Sequence, residues 1–340
     1  MKLLQFTDPA DGLHVGAVDG ADVVDLAAAG FHSVYDIYYK GGGDTDGFAA
    51  ACRRALEASA GGRRLSLEAM LAGGQGQVRL AKPVSGPADR PHDLRVWLAG
   101  VTHEDSAKLR EIEAQQATGD AVNVYDQKYR ECARGGRPEL FSKNDPDSVV
   151  GHAAPVARPA DTERLVPETE LVSVYGLNRD GQAELLGFTG GNDVTDNGIE
   201  ASNPLNLPQA KNWSGGCASL GPLLVTADEY DDGEVTVSCE ILRGGERVAF
   251  KEGLTGQDHL NMPDRRLHLE RTLFSRVPLM PGQLQAFYWG TPIVFSEGDF
   301  PQGLQVGDVM RLHFSGGIGA LENAVAAQDA ADQLSALSKG

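Results

Sequence analysis

No run in this 340-residue chain approaches the roughly 20 apolar residues that a membrane-spanning helix requires, which excludes a helical membrane protein. Cysteine is equally sparse. Cys52, Cys132, Cys217 and Cys239 are scattered and form no C-x-x-C pair. That spacing excludes a structural zinc site and a disulfide framework, and it predicts four reduced, mostly buried thiols. Positive charge is short as well: 30 basic residues face 48 acidic ones, for a formal net charge of −18. A field of that sign repels nucleic acid and anionic membranes, so neither is expected as a partner. Lysine is scarce beside arginine, and aspartate is abundant in patches such as Asp231-Asp232-Gly233. Two readings of this bias stay open: adaptation to high salt, or an ordinary acidic protein from a GC-rich genome. An apolar leader is missing too. Met1-Lys2-Leu3-Leu4-Gln5-Phe6-Thr7-Asp8 meets a charge before a signal-peptide core forms, so the chain reads as cytoplasmic.

What is present is ordinary globular material. A hydrophobic content of 41% supports a real core, in one large domain or two smaller ones. Residues 1–80 read as a small α/β unit, with strands at Leu3–Phe6 and Val15–Val18 around the turn Asp8-Pro9-Ala10-Asp11-Gly12. Helical spacing runs from Ser33 to Met70, and Gly73-Gly74-Gln75-Gly76 reads as a linker because it lacks the strand and lysine of a phosphate loop. Residues 81–340 read as a second, larger domain. Val96–Gly100 is a buried strand leading into a polar helix over Glu104–Ala117. Strands at Glu170–Leu177 and Ala183–Thr189 flank the hairpin turn Asn178-Arg179-Asp180-Gly181. Val235, Val237, Cys239 and Ile241 alternate, and Arg243-Gly244-Gly245-Glu246 turns that strand toward Val248-Ala249-Phe250. A helix is expected from Pro263, with Leu269, Leu273 and Val277 on one face. Val309–Phe314 reads as a strand, and the alanine-rich stretch Ala324–Leu337 as a terminal helix.

Three acids carry the chemistry. Glu168 and Glu170 are two residues apart, so in a strand their carboxylates project from one face. Asp193 lies at the end of the paired strand, where a hairpin can bring it to the same point. Three carboxylates with no His or Cys suit a hard divalent ion such as Mg²⁺ or Mn²⁺. Spacing alone leaves a second reading open, a solvated polar strand edge.

The ordered set around them resembles the fumarylacetoacetate hydrolase superfamily. Its pieces are Pro138-Glu139-Leu140-Phe141-Ser142-Lys143, Glu168-Thr169-Glu170, Gly191-Asn192-Asp193-Val194-Thr195 and Leu207-Pro208-Gln209-Ala210-Lys211. Leu220-Gly221-Pro222, Gly290-Thr291-Pro292, Gly307-Asp308-Val309 and Gly317–Asn323 follow in order. The resemblance covers roughly residues 95 to 323. It implies an α+β protein: a mixed β-sandwich or β-roll catalytic domain, a smaller N-terminal domain, and assembly as a homodimer or homotetramer. It implies that Glu168, Glu170 and Asp193 bind Mg²⁺ or a similar ion, that Lys211 projects toward the substrate, and that Thr291 helps hold the substrate carboxylate.

Departures from the family pattern point to a branch. Asp196-Asn197-Gly198 replaces the Ala-Arg-Asp of many hydrolase members, and Ser106 stands where carbon–carbon-cleaving members carry a histidine, with His103 close by. Ile199–Lys211 and Val124-Tyr125-Asp126 resemble members that dehydrate 2-keto-3-deoxy-pentonates. The expected activity is therefore metal-dependent dehydration of a 2-oxo sugar acid to 2,5-dioxopentanoate. The alternative is a C–C bond hydrolase or decarboxylase acting on a 2,4-diketo acid or acylpyruvate. Lys211 is the first candidate for handling protons, with Lys143, Glu111 and Glu113 behind it, and Ser106 and His103 are candidates for touching substrate.

Overall fold

The computed structural model describes residues 1–104, 124–143 and 145–328. Strand Thr169–Leu177 is buried on both faces along nearly its whole length, and the reason lies in what packs on each side. Leu171 and Tyr175 point with Phe188, Phe287 and Trp289 into a core shared with Val237, Ile241, Leu312 and Phe314 of a second sheet. Val172 and Val174 point the other way, into a core with Val34, Ile37, Tyr38 and Phe48 of the N-terminal helices. A large sheet is thus sandwiched between a smaller sheet and a helical layer, and the α+β class expected from the sequence holds.

Among the described residues the large sheet has twelve strands. At its centre lie Ala218–Thr226, Ala183–Asp193, Thr169–Leu177, Leu284–Tyr288 and Leu94–Gly100, in that order. The second sheet runs Glu246–Thr255, Val235–Arg243, Val309–Phe314, Gly319–Ala327 and Val156–Arg158. The N-terminal strands join the large sheet through Lys2 and Leu3, which pair with Val225 and Leu224. The hairpin over Asn178–Gly181 forms as expected. Asn178 Oδ1 accepts hydrogen bonds from the amides of Asp180 (3.1 Å) and Gln182 (2.9 Å), an Asx turn that closes the loop.

Three local expectations are overturned. Ala324–Ala327 belong to strand Gly319–Ala327, because Leu321, Asn323 and Val325 are buried at period two between two neighbouring strands. The rest of the expected terminal helix, beyond residue 328, lies outside the described residues. The helix expected from Pro263 begins only at Arg266 and ends at Phe274, short of Val277. Asp264 and Arg265 sit at φ 57° and 48°, in the left-handed region, and no right-handed helix runs through them. The Ser33–Met70 stretch breaks into separate helices around the strand Arg64–Ser66, which pairs with Asp22–Val24.

All four cysteines are free and buried. Burial pushes the Cys52 and Cys239 thiols up to about 12, so they are packing groups and not nucleophiles.

His14, on strand Gly12–Asp19, is buried between two carboxylates. Its Nδ1 lies 3.0 Å from Asp25 and its Nε2 2.8 Å from Asp11. Carboxylates only accept, so both ring nitrogens need a proton. Burial alone would lower the pKa, but the bonds to Asp11 and Asp25 raise it above the ordinary histidine value. The contribution is complete below the unfolded value of about 6.5 and is lost as pH rises through the raised folded value. The melting temperature should therefore contain a component that falls as pH rises above about 6.5, and His14→Gln should remove that component. Identical pH profiles for the two proteins would refute it.

Candidate metal centre and active site

The triad is built by sheet register. Glu170 pairs with Gly191 and Thr169 with Asn192, while the Asp193 amide donates to the Glu168 carbonyl at 2.9 Å. Asp193 therefore stands opposite Glu168, on the same face as Glu170. Ligand oxygens of all three fall within 4.8 Å of one another, and all three residues are buried. Gly191 makes room for this face, since a Cβ there would lie 2.3 Å from the Tyr288 ring. The Tyr288 hydroxyl passes the triad and donates to the Ser219 carbonyl at 2.9 Å. Gly290 serves similarly, at φ +86° and with Thr102 Oγ1 2.1 Å from where its Cβ would be. Its amide donates to Glu170 Oε2 at 2.7 Å.

Two lysines meet the acids from opposite sides. Lys211, at the end of helix Leu207–Lys211, donates to Asp193 Oδ2 (2.8 Å), Glu168 Oε2 (3.1 Å) and Thr195 Oγ1 (2.7 Å). It also lines a small cavity with Ala99, Gly100, Glu168, Glu170, Gly290 and Thr291. Lys143 has no such access. Its Nζ is 2.7 Å from Asp193 Oδ1 and donates to the carbonyls of Cys217 (3.0 Å), Val194 (3.3 Å) and Lys211. Expected as a catalytic candidate, Lys143 is fully enclosed, its ammonium against Asp193 and outside the cavity that Lys211 lines.

The two ends of the triad differ electrically. Burial would push Asp193 up, but Lys143 and Lys211 together hold it below the usual carboxylate range. Glu170 is pushed well above its ordinary value, by burial first and then by the Asp193 charge. Its Oε2 takes the Gly290 amide, and no ion pair reaches it among the described residues. A divalent cation between these carboxylates would supply the charge that Glu170 lacks. The all-oxygen donor set fits such an ion.

The remaining expectations divide. Thr291 lines the cavity, its hydroxyl donating to the Ile293 carbonyl at 2.7 Å. His103 does not reach it. Its ring is shared between Thr102 Oγ1 (2.9 Å) and Thr255 Oγ1 (3.0 Å), and burial drives its pKa down to about 3. It borders a separate cavity with Tyr129, Glu252 and His259. Ser106, Glu111 and Glu113 lie outside the described residues.

Three cavity residues were not singled out from the sequence: Val101, Glu139 and Glu200. Val101 sits at φ 57°, a strained position for a β-branched residue and one that accompanies functional sites. Glu200 lies inside the segment Ile199–Lys211 that carried the branch resemblance, so its neighbourhood was visible though its direction was not.

Comparison with known proteins agrees with this geometry. Residues 112–326 match the family described as fumarylacetoacetate (FAA) hydrolase C-terminal. A 2-dehydro-3-deoxy-D-arabinonate dehydratase of Saccharolobus solfataricus is 35% identical over 175 residues, 51% of this chain and 53% of that protein. A probable 2-keto-3-deoxyxylonate dehydratase of Haloferax volcanii is 34% identical over 231 residues, 68% of this chain and 71% of that protein. The chain thus spans about half the length of the first relative and nearly three quarters of the second. Among solved structures, an apo 2-keto-3-deoxy-D-arabinonate dehydratase superposes with a TM-score of 0.70 at 24% identity, over 96% of this chain and 99% of that one. The same dehydratase complexed with magnesium and 2,5-dioxopentanoate gives 0.68, over the same shares of the two chains and at the same identity. The fumarylacetoacetate hydrolase of Exiguobacterium antarcticum gives 0.63 at 22% identity, over 96% of this chain and 100% of that one. Family match, relatives and fold converge: the chain belongs to the fumarylacetoacetate hydrolase family.

Proposed function

We propose that this protein dehydrates 2-keto-3-deoxy-D-pentonate to 2,5-dioxopentanoate, using Mg²⁺ or a similar divalent ion held by Glu168, Glu170 and Asp193. The observation that carries the reading is the buried acid triad, two of whose members, Glu168 and Glu170, line a cavity together with Lys211 and Thr291. Two relatives at 34–35% identity that are named as dehydratases of such acids support it. Bound there, the ion would act as a Lewis acid toward the keto and carboxylate oxygens of a 2-oxo acid. Thr291, which lines the cavity, would help hold the carboxylate end of the substrate. Lys211, hydrogen-bonded to two of the acids, would handle the proton leaving C3. With charge developing at C3, the C4 hydroxyl departs as water, and proton shifts from C5 complete the aldehyde.

The hydrolase alternative needs an activated water beside the cavity. His103, the histidine that stood nearest that role, is turned instead toward Thr102 and Thr255. We further take the protein to be a cytoplasmic homodimer or homotetramer. Val248, Phe250 and Leu254 alternate in an exposed stripe along the edge strand Glu246–Thr255, a surface that a second copy would cover. Among the described residues no helix is long and apolar enough to cross a membrane.

The reading is tested by stripping the protein of metal, restoring Mg²⁺ and supplying 2-keto-3-deoxy-D-pentonate with a coupled aldehyde dehydrogenase. NAD(P)H should form only after the metal is restored. Cleavage of acylpyruvates to pyruvate without aldehyde formation would replace this reading with the hydrolase.

A further inference from the structure

The cavity holds a further carboxylate beside Lys211. Glu200 is 5% exposed and lines the cavity, and its Oε1 lies 4.0 Å from Lys211 Nζ. It stands outside the cluster formed by Glu168, Glu170 and Asp193. Its position is built, not incidental. The short helix Asn197–Ser202 that carries it is capped by Asp196, which accepts from the Ile199 amide at 3.4 Å and from the amides of Glu163 and Arg164 at 3.1 and 3.0 Å. Arg164 also bonds Asn197 Oδ1 from below. Gly198 lets the helix close on the neighbouring chain, for a Cβ there would lie 2.5 Å from the Glu163 Cβ. A carboxylate locked this way on a packed element is placed to within the tolerance that proton transfer needs.

The cavity therefore brings Glu168, Glu170, Lys211 and Glu200 together. A five-carbon 2-oxo acid with C1 and C2 at the triad and C3 at Lys211 would reach Glu200 with its C4–C5 end. On the dehydratase reading above, we infer that Glu200 is the base that removes a proton from C5 after water has left. The first elimination breaks the C3–H and C4–O bonds and forms a C3=C4 bond, giving 5-hydroxy-2-oxopent-3-enoate and water. Glu200 then takes a C5 proton. The C5–H electron pair becomes a C4=C5 bond, the C3=C4 pair moves to C2=C3, and the C2 oxygen takes the negative charge. Protonation at C3 restores the ketone, and the remaining C4=C5 enol tautomerises to the aldehyde by gaining a proton at C4 and losing one from the C5 hydroxyl. The sum is substrate to 2,5-dioxopentanoate plus water, with no outside oxidant or reductant.

The experiment compares wild type, Glu200→Gln and Glu200→Asp, each with Mg²⁺, by NMR in D₂O and by aldehyde formation. Glu200→Gln should keep deuterium exchange at C3 and an unchanged KM, lose aldehyde formation by about 100-fold, and accumulate the ultraviolet-absorbing enone. Glu200→Asp should recover part of the rate. Wild-type aldehyde formation in Glu200→Gln, or loss of C3 exchange together with aldehyde in a protein that melts normally, overturns the assignment. If Glu200→Gln does not fold, Glu200→Asp carries the test: slowed turnover with enone accumulation supports the role, and wild-type kinetics overturn it. A wild-type protein inactive on the sugar acid overturns the dehydratase reading itself, and this inference with it.

Discussion

Lys211→Met should lower kcat for aldehyde formation by about 1,000-fold, within the range that positioned proton-transfer groups contribute, while leaving a folded protein. Methionine keeps most of the side chain's length and its packing beside the Phe141 ring, over which the ammonium now sits at 5.2 Å. What disappears is the cation shared by Glu168, Asp193 and Thr195. Asp193 retains Lys143 at 2.7 Å, so it is not left alone. The loss should appear in kcat and in C3 deuterium exchange together, because both depend on the group facing C3. Wild-type kcat in this variant would remove Lys211 from the chemistry and leave it a cation that fixes the acids.

Asp193→Asn should be the most damaging change to the fold. Two ammonium groups, Lys143 at 2.7 Å and Lys211 at 2.8 Å, converge on this one fully buried carboxylate. Neutralising it strands positive charge in the interior, a defect that typically costs about 3–5 kcal/mol. Urea unfolding of the metal-free protein should show that loss, and calorimetry should show weakened Mg²⁺ binding. Wild-type stability would mean that the lysines find other acceptors, and wild-type affinity would remove Asp193 from the ligand set. Both results bear on one physical point: the same aspartate that would bind the ion also neutralises the core.

Much of this site was legible because strand geometry is simple. The two-residue spacing of Glu168 and Glu170 and the turn Asn178–Gly181 allowed Asp193 to face them, and the register of the two strands brings the three together. Lys211 was found only through resemblance. Its distance from the acids along the chain carries no period, and the two short helices that bring it back have no sequence signature of their own. Lys143 and His103 were misplaced for a related reason. A sequence marks a residue as chemically able, but the side of the sheet on which its polar atoms find partners depends on Cys217, Val194 and Thr255, each far along the chain.

By itself the sequence determined the acidic character of the protein, the absence of a cysteine framework, the alternation that makes most of its strands, and the spacing that puts Glu168 and Glu170 on one strand face. These follow from local composition and from the period-two geometry of a strand. Tertiary structure alone decided that Glu170 is buried with no ion pair among the described residues, that Lys143 is enclosed while Lys211 lines the cavity, and that Glu200 lines it too. It also decided that Ala324–Ala327 is a strand, since Val309 to Phe314 on one side and Val156 to Arg158 on the other offer backbone partners that local helix preference does not outweigh.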